Sequence, residues 1–442
     1  MSDNKSVFVV MSAEVFHPGH LNILKVAREL GEVTVGLATD HFNARYKRLS
    51  LLSYEDRKAI VENIQGVKRV IPQDTLDLAP VLRSLKPDYF VHGDDWKAGP
   101  LLGVRLQVIE ILKEWGGELV EPPYTKGVSS TQLNAAWRSI GITPHARIRH
   151  FRRMLENQPV VRLLEIHNAL TGLIVERTRV TYDEAPKEFD GMWYGRLTDS
   201  LAKGKSSAGL VDFTSRVNTL HDVLEGTVKP LVVEAGDGGP NEYFISAVRT
   251  LERLGVSAIV IEGLAGSEGA ALPLGSERRI RKNLDEFTEK IASGKRALVT
   301  EDFSIIPQIR TPLLSRNPEA ALHCARAYIE SGAGGVMIQG HAGSLDGFFE
   351  FCRLYAQLDN KVPLFSAIPA TSPIDEAQLV SAGVQVIVYP DQLLRAAYTS
   401  MVKTAKSILI NSSVTELDEL LEPIGVIREF VPGIQNDGEM AD

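Results

Sequence analysis

Cysteine is almost missing from this 442-residue chain, which has only Cys324 and Cys352. Two thiols cannot build a disulfide framework or a multi-cysteine zinc site, and both read as small buried hydrophobes in a reducing compartment. Aromatic residues make up only 7%, and acidic residues outnumber basic ones 56 to 48, for a formal net charge of -8. With no basic stripe interleaved with aromatics, a nucleic-acid partner is not expected, and any phosphate binding must be local. No apolar run reaches the ~18 residues of a membrane span, so no membrane partner is expected. Residues 1–5 lack a basic segment backed by an apolar stretch, and a cytoplasmic location is expected.

The chain is too long for one ordinary core. Up to about residue 137, strand-like runs at 7–11, 32–38, 68–72, 88–91 and 118–120 alternate with amphipathic stretches. That layout predicts an α/β fold, a Rossmann-like doubly wound domain over residues 1–142. Residues 143–159 turn basic and polar and read as a linker with a lead-in helix. A second alternation fills 160–412, with strand-like runs at 172–175, 191–193, 230–234, 258–262, 297–300, 335–339, 364–368 and 384–388. These eight predict a C-terminal (β/α)8 barrel. Residues 413–442 form an acidic tail expected to fray.

His17-Pro18-Gly19-His20 falls between the run 7–11 and a helical pattern beginning at Leu21. The spacing His-x-Gly-His arises by chance in about one such chain in fifty, so context decides, and a strand-to-helix junction is where parallel sheets bind ligands. The tetrapeptide resembles the HxGH signature of nucleotidyltransferases, and such transfer needs hydrogen-bonding or positive groups around the α-phosphate and a separate cradle for pyrophosphate. Two histidines one turn apart supply the first, helped by the helix dipole and free backbone N–H groups. For the cradle, Lys126-Gly127-Val128-Ser129-Ser130-Thr131 precedes a helical pattern at 132–138; taken alone, it is equally a plain N-cap. Arg45, Lys47 and Arg48 equally suit a solvated basic turn.

Five segments together are more specific. Residues 12–20, Arg45-Tyr46-Lys47-Arg48, Ser53-Tyr54-Glu55-Asp56-Arg57-Lys58, His92-Gly93-Asp94-Asp95-Trp96 and Gly127-Val128-Ser129-Ser130-Thr131 resemble, in order, the motif set of small bacterial cytidylyltransferases, HxGH nucleotidyltransferases. The resemblance covers about residues 6–137 and lies nearest the enzymes that transfer CMP to phosphonates or small phosphate alcohols. It implies that His17 and His20 stabilise the α-phosphate transition state and that Lys47 contacts phosphates. Ser12, Ala13, Gly19, Arg57, Asp94 and Trp96 would bind or position the nucleotide, and Ser129, Ser130 and Thr131 would hold the outer phosphates. It also implies Mg2+ on CTP. Met11-Ser12-Ala13-Glu14 and Tyr124-Thr125-Lys126 depart from the glycerol-phosphate and choline-phosphate enzymes, which bears on the acceptor more than on the chemistry.

Residues 161–170, Gly191-Met192-Trp193, the segment 199–205 and the run 251–262 resemble the phosphoenolpyruvate mutase and isocitrate lyase superfamily over roughly 160–409. That family holds Mg2+ through an Asp-Ala-Asp strand end, where this chain reads Glu234-Ala235-Gly236-Asp237. The family's Glu-Asp-Lys becomes Glu262-Gly263-Leu264, its Asn-Ser gate becomes Glu268-Gly269-Ala270, and its aspartate after Lys-Gly-Lys falls at Ser207. The arginine and histidine that grip the phosphoryl group fall at Gln308 and Gln339. Losing these charges removes several kcal/mol of transition-state stabilisation, so a catalytically degenerate barrel is expected. Glu234, Asp237, Glu262, Asp302 and Arg310 remain polar, either as a changed site or as surface and N-cap residues.

The leading expectation is a CTP-dependent cytidylyltransferase of phosphonate biosynthesis that releases pyrophosphate, with 2-hydroxyethylphosphonate or 2-aminoethylphosphonate as acceptor. The alternatives are a bifunctional enzyme that keeps phosphoenolpyruvate mutase activity, and a barrel serving as a non-catalytic scaffold for a homo-oligomer. No protein-held metal site is expected.

Overall fold

Alternating apolar runs and amphipathic stretches should fold as parallel strands covered by helices, and they do. The computed structural model describes residues 5–46, 49–97, 99–123, 142–182, 185–262, 277–309, 311–339, 345–368, 374–414 and 421–431. The chain divides into two compact units, Met1–Ile140 with Thr181–Pro186 and Gly141–Val180 with Lys187–Asp442.

In the first unit, β1 (Ser6–Met11), β2 (Glu32–Ala38), β3 (Val67–Gln73), β4 (Tyr89–Val91) and β5 (Glu118–Val120) make one sheet in the order β3-β2-β1-β4-β5. All its pairings are parallel. Strand order therefore reverses between β1 and β4, which opens a crevice beyond their carboxyl ends. Helix α1 (Pro18–Leu30) covers one face through Leu24 and Ala27. Phe8, Phe90 and Trp96, all essentially inaccessible, fill the core on the other face; each such side chain contributes about 2–3 kcal/mol.

The second unit contains a closed barrel. Its strands are β6 (Val161–Ile166), β9 (Gly191–Tyr194), β10 (Leu231–Glu234), β11 (Ala258–Glu262), β12 (Ser304–Gln308), β13 (Val336–Ile338), β14 (Leu364–Ala367) and β15 (Val386–Tyr389), with β15 closing onto β6. Strands β7 (Arg179–Tyr182) and β8 (Ala185–Glu188) form a separate two-stranded pair. The lead-in helix, Pro144–Asn157, buries Ile148, Phe151, Met154 and Leu155. It lies at the amino ends of the strands, since Gln385, just before β15, donates to the Leu155 and Gln158 carbonyls at 2.6 and 2.8 Å.

Two of the eight expected barrel strands are misplaced. Residues 172–175 lie inside the helix Ala169–Arg177, whose N-cap Asn168 forms a reciprocal capping box with Thr171. A short apolar run reads the same in a buried helix as in a strand, and the cap decides. The first barrel strand is Val161–Ile166 instead. Likewise, 297–300 ends a helix and enters a loop in which Val299 is 90% exposed and the Glu252 carboxylate accepts the Val299 and Thr300 N–H groups. The strand comes later, at Ser304–Gln308. Pro307, which donates no ladder hydrogen bond, obscured it.

Candidate active site

The carboxyl ends of β1 and β4 carry the candidate nucleotide site. After Met11 the chain passes through Ala13, which is buried at φ 48°, a left-handed conformation unusual for a residue with a β-carbon. Arg57 holds this loop from below. It is wholly inaccessible and donates Nη1–H to the Ser12 and Ala38 carbonyls (2.5 and 2.7 Å) and Nη2–H to Asp40 Oδ1 (2.9 Å). Arg57 therefore ties the exits of β1 and β2 together, acting on the site through the backbone.

His17 is the N-cap of α1. Its Nδ1 accepts the Gly19 N–H at 3.1 Å, and His20 Nδ1 accepts the His17 N–H at 3.3 Å, a capping box built from two imidazoles. An Nδ1 that accepts carries no proton, so each neutral ring bears its proton on Nε2. The rings lie 4.0 Å apart and Phe16 stacks on His20 at 5.4 Å, which fixes both orientations. Partial burial lowers the His17 pKa, favouring this neutral donor form near pH 7. Backbone donors are less available than expected. Pro18 has none, Gly19 N–H is taken by His17, and the His20 and Leu21 N–H groups go to the His17 carbonyl. What this turn offers an anion is therefore the imidazoles and the helix dipole.

Beyond β4, His92 donates Nδ1–H to the Gly93 carbonyl (2.9 Å) and stacks on Trp96 at 4.1 Å. Trp96 is 2% exposed, and its Nε1–H donates to Glu121 Oε1 at 2.8 Å. Glu121 also takes two hydrogen bonds from Arg105 (2.8 and 2.9 Å), and with these its carboxyl pKa falls to about 2. Trp96 is thus an internal platform for His92. Asp94, half-buried, sits in the same short turn and faces Lys97 at 3.9 Å. Lys47, Arg48, Ser129, Ser130, Thr131 and the helix expected at 132–138 lie outside the described residues.

In the barrel, Glu234, Gly236, Glu262, Gln308 and Gln339 stand at the carboxyl ends of four successive strands, β10 to β13, and Glu262 is in register with Gln308. Glu234 Oε2 accepts the Arg196 N–H at 2.9 Å, and burial raises its pKa. Gly236 is at φ 63°, and an ideal Cβ there would clash with Arg196 Nη1 and lie 2.6 Å from its Cζ. Asp237 is exposed; its Oδ1 accepts Gly239 N–H at 3.0 Å in its own turn. Ser207 follows the helix Arg196–Ala202, and its Oγ accepts Gly209 N–H at 3.5 Å. Arg310, Gly263, Leu264, Glu268, Gly269 and Ala270 lie outside the described residues.

Residues 151–409, more than half of the chain, match the phosphoenolpyruvate phosphomutase family model, and residues 12–136 match the cytidylyltransferase-like model. The chain belongs to the phosphoenolpyruvate phosphomutase family, with a cytidylyltransferase-like domain fused ahead of the barrel. A glycerol-3-phosphate cytidylyltransferase of Bacillus spizizenii is 36% identical over 138 residues, 31% of this chain and 99% of the relative. A phosphoenolpyruvate phosphomutase of Tetrahymena pyriformis is 22% identical over 272 residues, 60% of this chain and 85% of the relative. A crystal structure of phosphonopyruvate hydrolase with oxalate and Mg2+ shares the fold at TM-score 0.56 and 21% identity, covering 65% of this chain and 95% of that one.

Within the cytidylyltransferase-like domain, the fold brings His17, His20 and Gly19 into one helix turn, with Ser12 and Ala13 in the loop that leads to it. Reading the sequence missed His92, Asp40 and Glu121 as supports. His92 was visible inside the motif His92–Trp96, but no spacing rule links Glu121 to Trp96 across 25 residues.

Proposed function

We propose that the cytidylyltransferase-like domain transfers CMP from CTP to a small phosphonate such as 2-hydroxyethylphosphonate or 2-aminoethylphosphonate, releasing pyrophosphate. The observation that carries this reading is the imidazole capping box, which sets the two rings side by side in their Nε2–H form at a helix N-terminus beside the switch-point crevice. An acceptor oxyanion attacks the α-phosphorus, a new P–O bond forms in line, and the α–β bridging bond breaks with its electron pair leaving on pyrophosphate. Neutral Nε2–H groups donate to the non-bridging α-phosphate oxygens, where charge accumulates, and need no proton transfer. Mg2+ travels with CTP as part of the substrate; among the described residues no group of three His, Cys, Asp or Glu side chains is placed to hold a metal. The phosphonate acceptor is supported by fusion to a barrel of the phosphoenolpyruvate phosphomutase family.

Pyrophosphate release by the full chain with CTP and Mg2+ tests this directly, against a panel of both phosphonates and glycerol 3-phosphate. Turnover that is fastest with a phosphonate and lost in His20→Ala is expected. If no phosphonate supports release, the acceptor assignment fails, and if glycerol 3-phosphate alone does, the domain shares its relative's substrate.

The barrel's part in this reading is structural. The helix Gln392–Asn411 buries no residue and leaves Tyr398, Met401, Leu409 and Ile410 at 61–81% exposure. Such an apolar surface favours a homo-oligomeric scaffold over a free-standing enzyme barrel. Light scattering of wild type against Met401→Glu/Leu409→Glu reads this: a loss of mass in the variant is expected, and a monomeric wild type refutes it. Phosphonopyruvate incubated with excess enzyme and followed by 31P NMR tests mutase activity, and no phosphoenolpyruvate is expected.

A further inference from the structure

The barrel's resemblance implies a divalent cation at the carboxyl end of β10, and the residues there do not fit one. A hard cation takes six or more oxygen ligands, several of them carboxylate. Glu234 is the one carboxylate at this strand end, and its Oε2 already accepts the Arg196 N–H. Gly236 offers no side chain, and Asp237 is turned outward into its own loop. The space a side chain at Gly236 would enter is occupied by the Arg196 guanidinium, whose Nη1 a Cβ there would clash with.

We infer that the Arg196 guanidinium is the resident cation of this barrel mouth, standing where a carboxylate and its metal ion would otherwise sit, so that the barrel binds no divalent cation. The substitution is electrostatically coherent. Guanidinium is charged at every accessible pH, so Arg196 brings a permanent positive charge against Gly236, two residues beyond half-buried Glu234. It is chemically unequal, because its N–H donors are fixed and it has no open coordination position to polarise an enolate oxygen. The pair also explains the glycine. At φ 63° glycine is the residue the backbone favours, and an aspartate there would meet the Arg196 guanidinium and pair with it instead of with a metal.

This inference deepens the reading of a barrel without mutase activity, but it is read by metal binding, so the two can fail separately. The full chain is titrated with Mn2+ in the absence of nucleotide, and free Mn2+ is followed by EPR. Wild type should leave the free-ion signal as it is in buffer. In Gly236→Asp the new carboxylate pairs with Arg196 and binding stays as in wild type. In Arg196→Gly/Gly236→Asp one Mn2+ per chain should bind, with at least about tenfold higher affinity than wild type, a difference of about 1.4 kcal/mol. Stoichiometric binding by wild type that Glu234→Gln abolishes would overturn the inference. So would equal binding by Gly236→Asp and the double variant, or a double variant that melts cooperatively and binds none. Should the double variant not fold, Arg196→Gln/Gly236→Asp, which removes the charge and keeps side-chain bulk, must bind Mn2+ more tightly than wild type, and unchanged affinity overturns the inference.

Discussion

His17 does two jobs that one substitution can separate. Its Nδ1 caps α1 by accepting the Gly19 N–H, and its Nε2–H is the proposed phosphate donor. Alanine removes both. The lost cap should cost about 1 kcal/mol, which for a unit of this size lowers the melting temperature by about 3 °C. The lost donor should cost a further ~3–4 kcal/mol in the transition state, about 10²–10³ in kcat. Asparagine keeps the first job, because its side-chain oxygen is a preferred N-cap acceptor, but places no donor where Nε2 stood. His17→Asn should therefore melt at or above the wild-type temperature while losing about as much kcat as His17→Ala, with KM for CTP changed less than kcat. Thermal melts followed by circular dichroism and a pyrophosphate-release assay on the same preparations give both numbers. If His17→Asn keeps more than about a tenth of wild-type kcat, the imidazole is a cap and the transition-state assignment is wrong.

Because burial lowers the His17 pKa, kcat/KM should rise with pH through an apparent value below about 6.5 and stay level to pH 8, as protonation of Nδ1 would break the cap; activity that peaks at pH 5 contradicts the neutral-donor form. Glu121, held at about 2 by Arg105 and Trp96, has a folded pKa below its unfolded one. Its contribution should be fully present above about pH 4.5 and fade as pH falls toward 2. Glu121→Gln should accordingly destabilise in urea melts at pH 7, with the gap to wild type closing at pH 3. Arg57→Ala leaves the Ser12 and Ala38 carbonyls and Asp40 without their buried donor, and should cost about 3–5 kcal/mol, read as a lower urea midpoint. Arg57→Lys should recover little, because a single ammonium cannot span three acceptors on two loops.

The fold class was legible because period and composition are local properties. Continuous apolar runs such as Val7–Met11 and Ala258–Glu262 fit buried parallel strands, and their alternation with amphipathic stretches sets the two architectures. The imidazole pair was equally legible, since His17 and His20 are one helical turn apart wherever α1 begins. Where local signals are degenerate, the reading failed: residues 172–175 have the same apolar content in a helix as in a strand, and Pro307 disguised a strand whose missing N–H the barrel tolerates.

Roles that depend on what lies across space were decided only by the tertiary structure. The resemblance implied that Arg57 and Trp96 bind or position the nucleotide; the fold shows how each is held, Arg57 on the Ser12 carbonyl and Trp96 stacked on His92. The resemblance also left open whether Gly236 was merely a lost ligand. Only the tertiary structure brings the guanidinium of Arg196, 40 residues earlier in the chain, against Gly236, the contact on which the inferred exchange of cations rests. A sequence determines period, capping and the identity of donors, because these act over a turn of helix or a pair of strands. Charge neutralisation and exclusion act over a few ångströms between segments distant in the chain, and exist only once the barrel has closed.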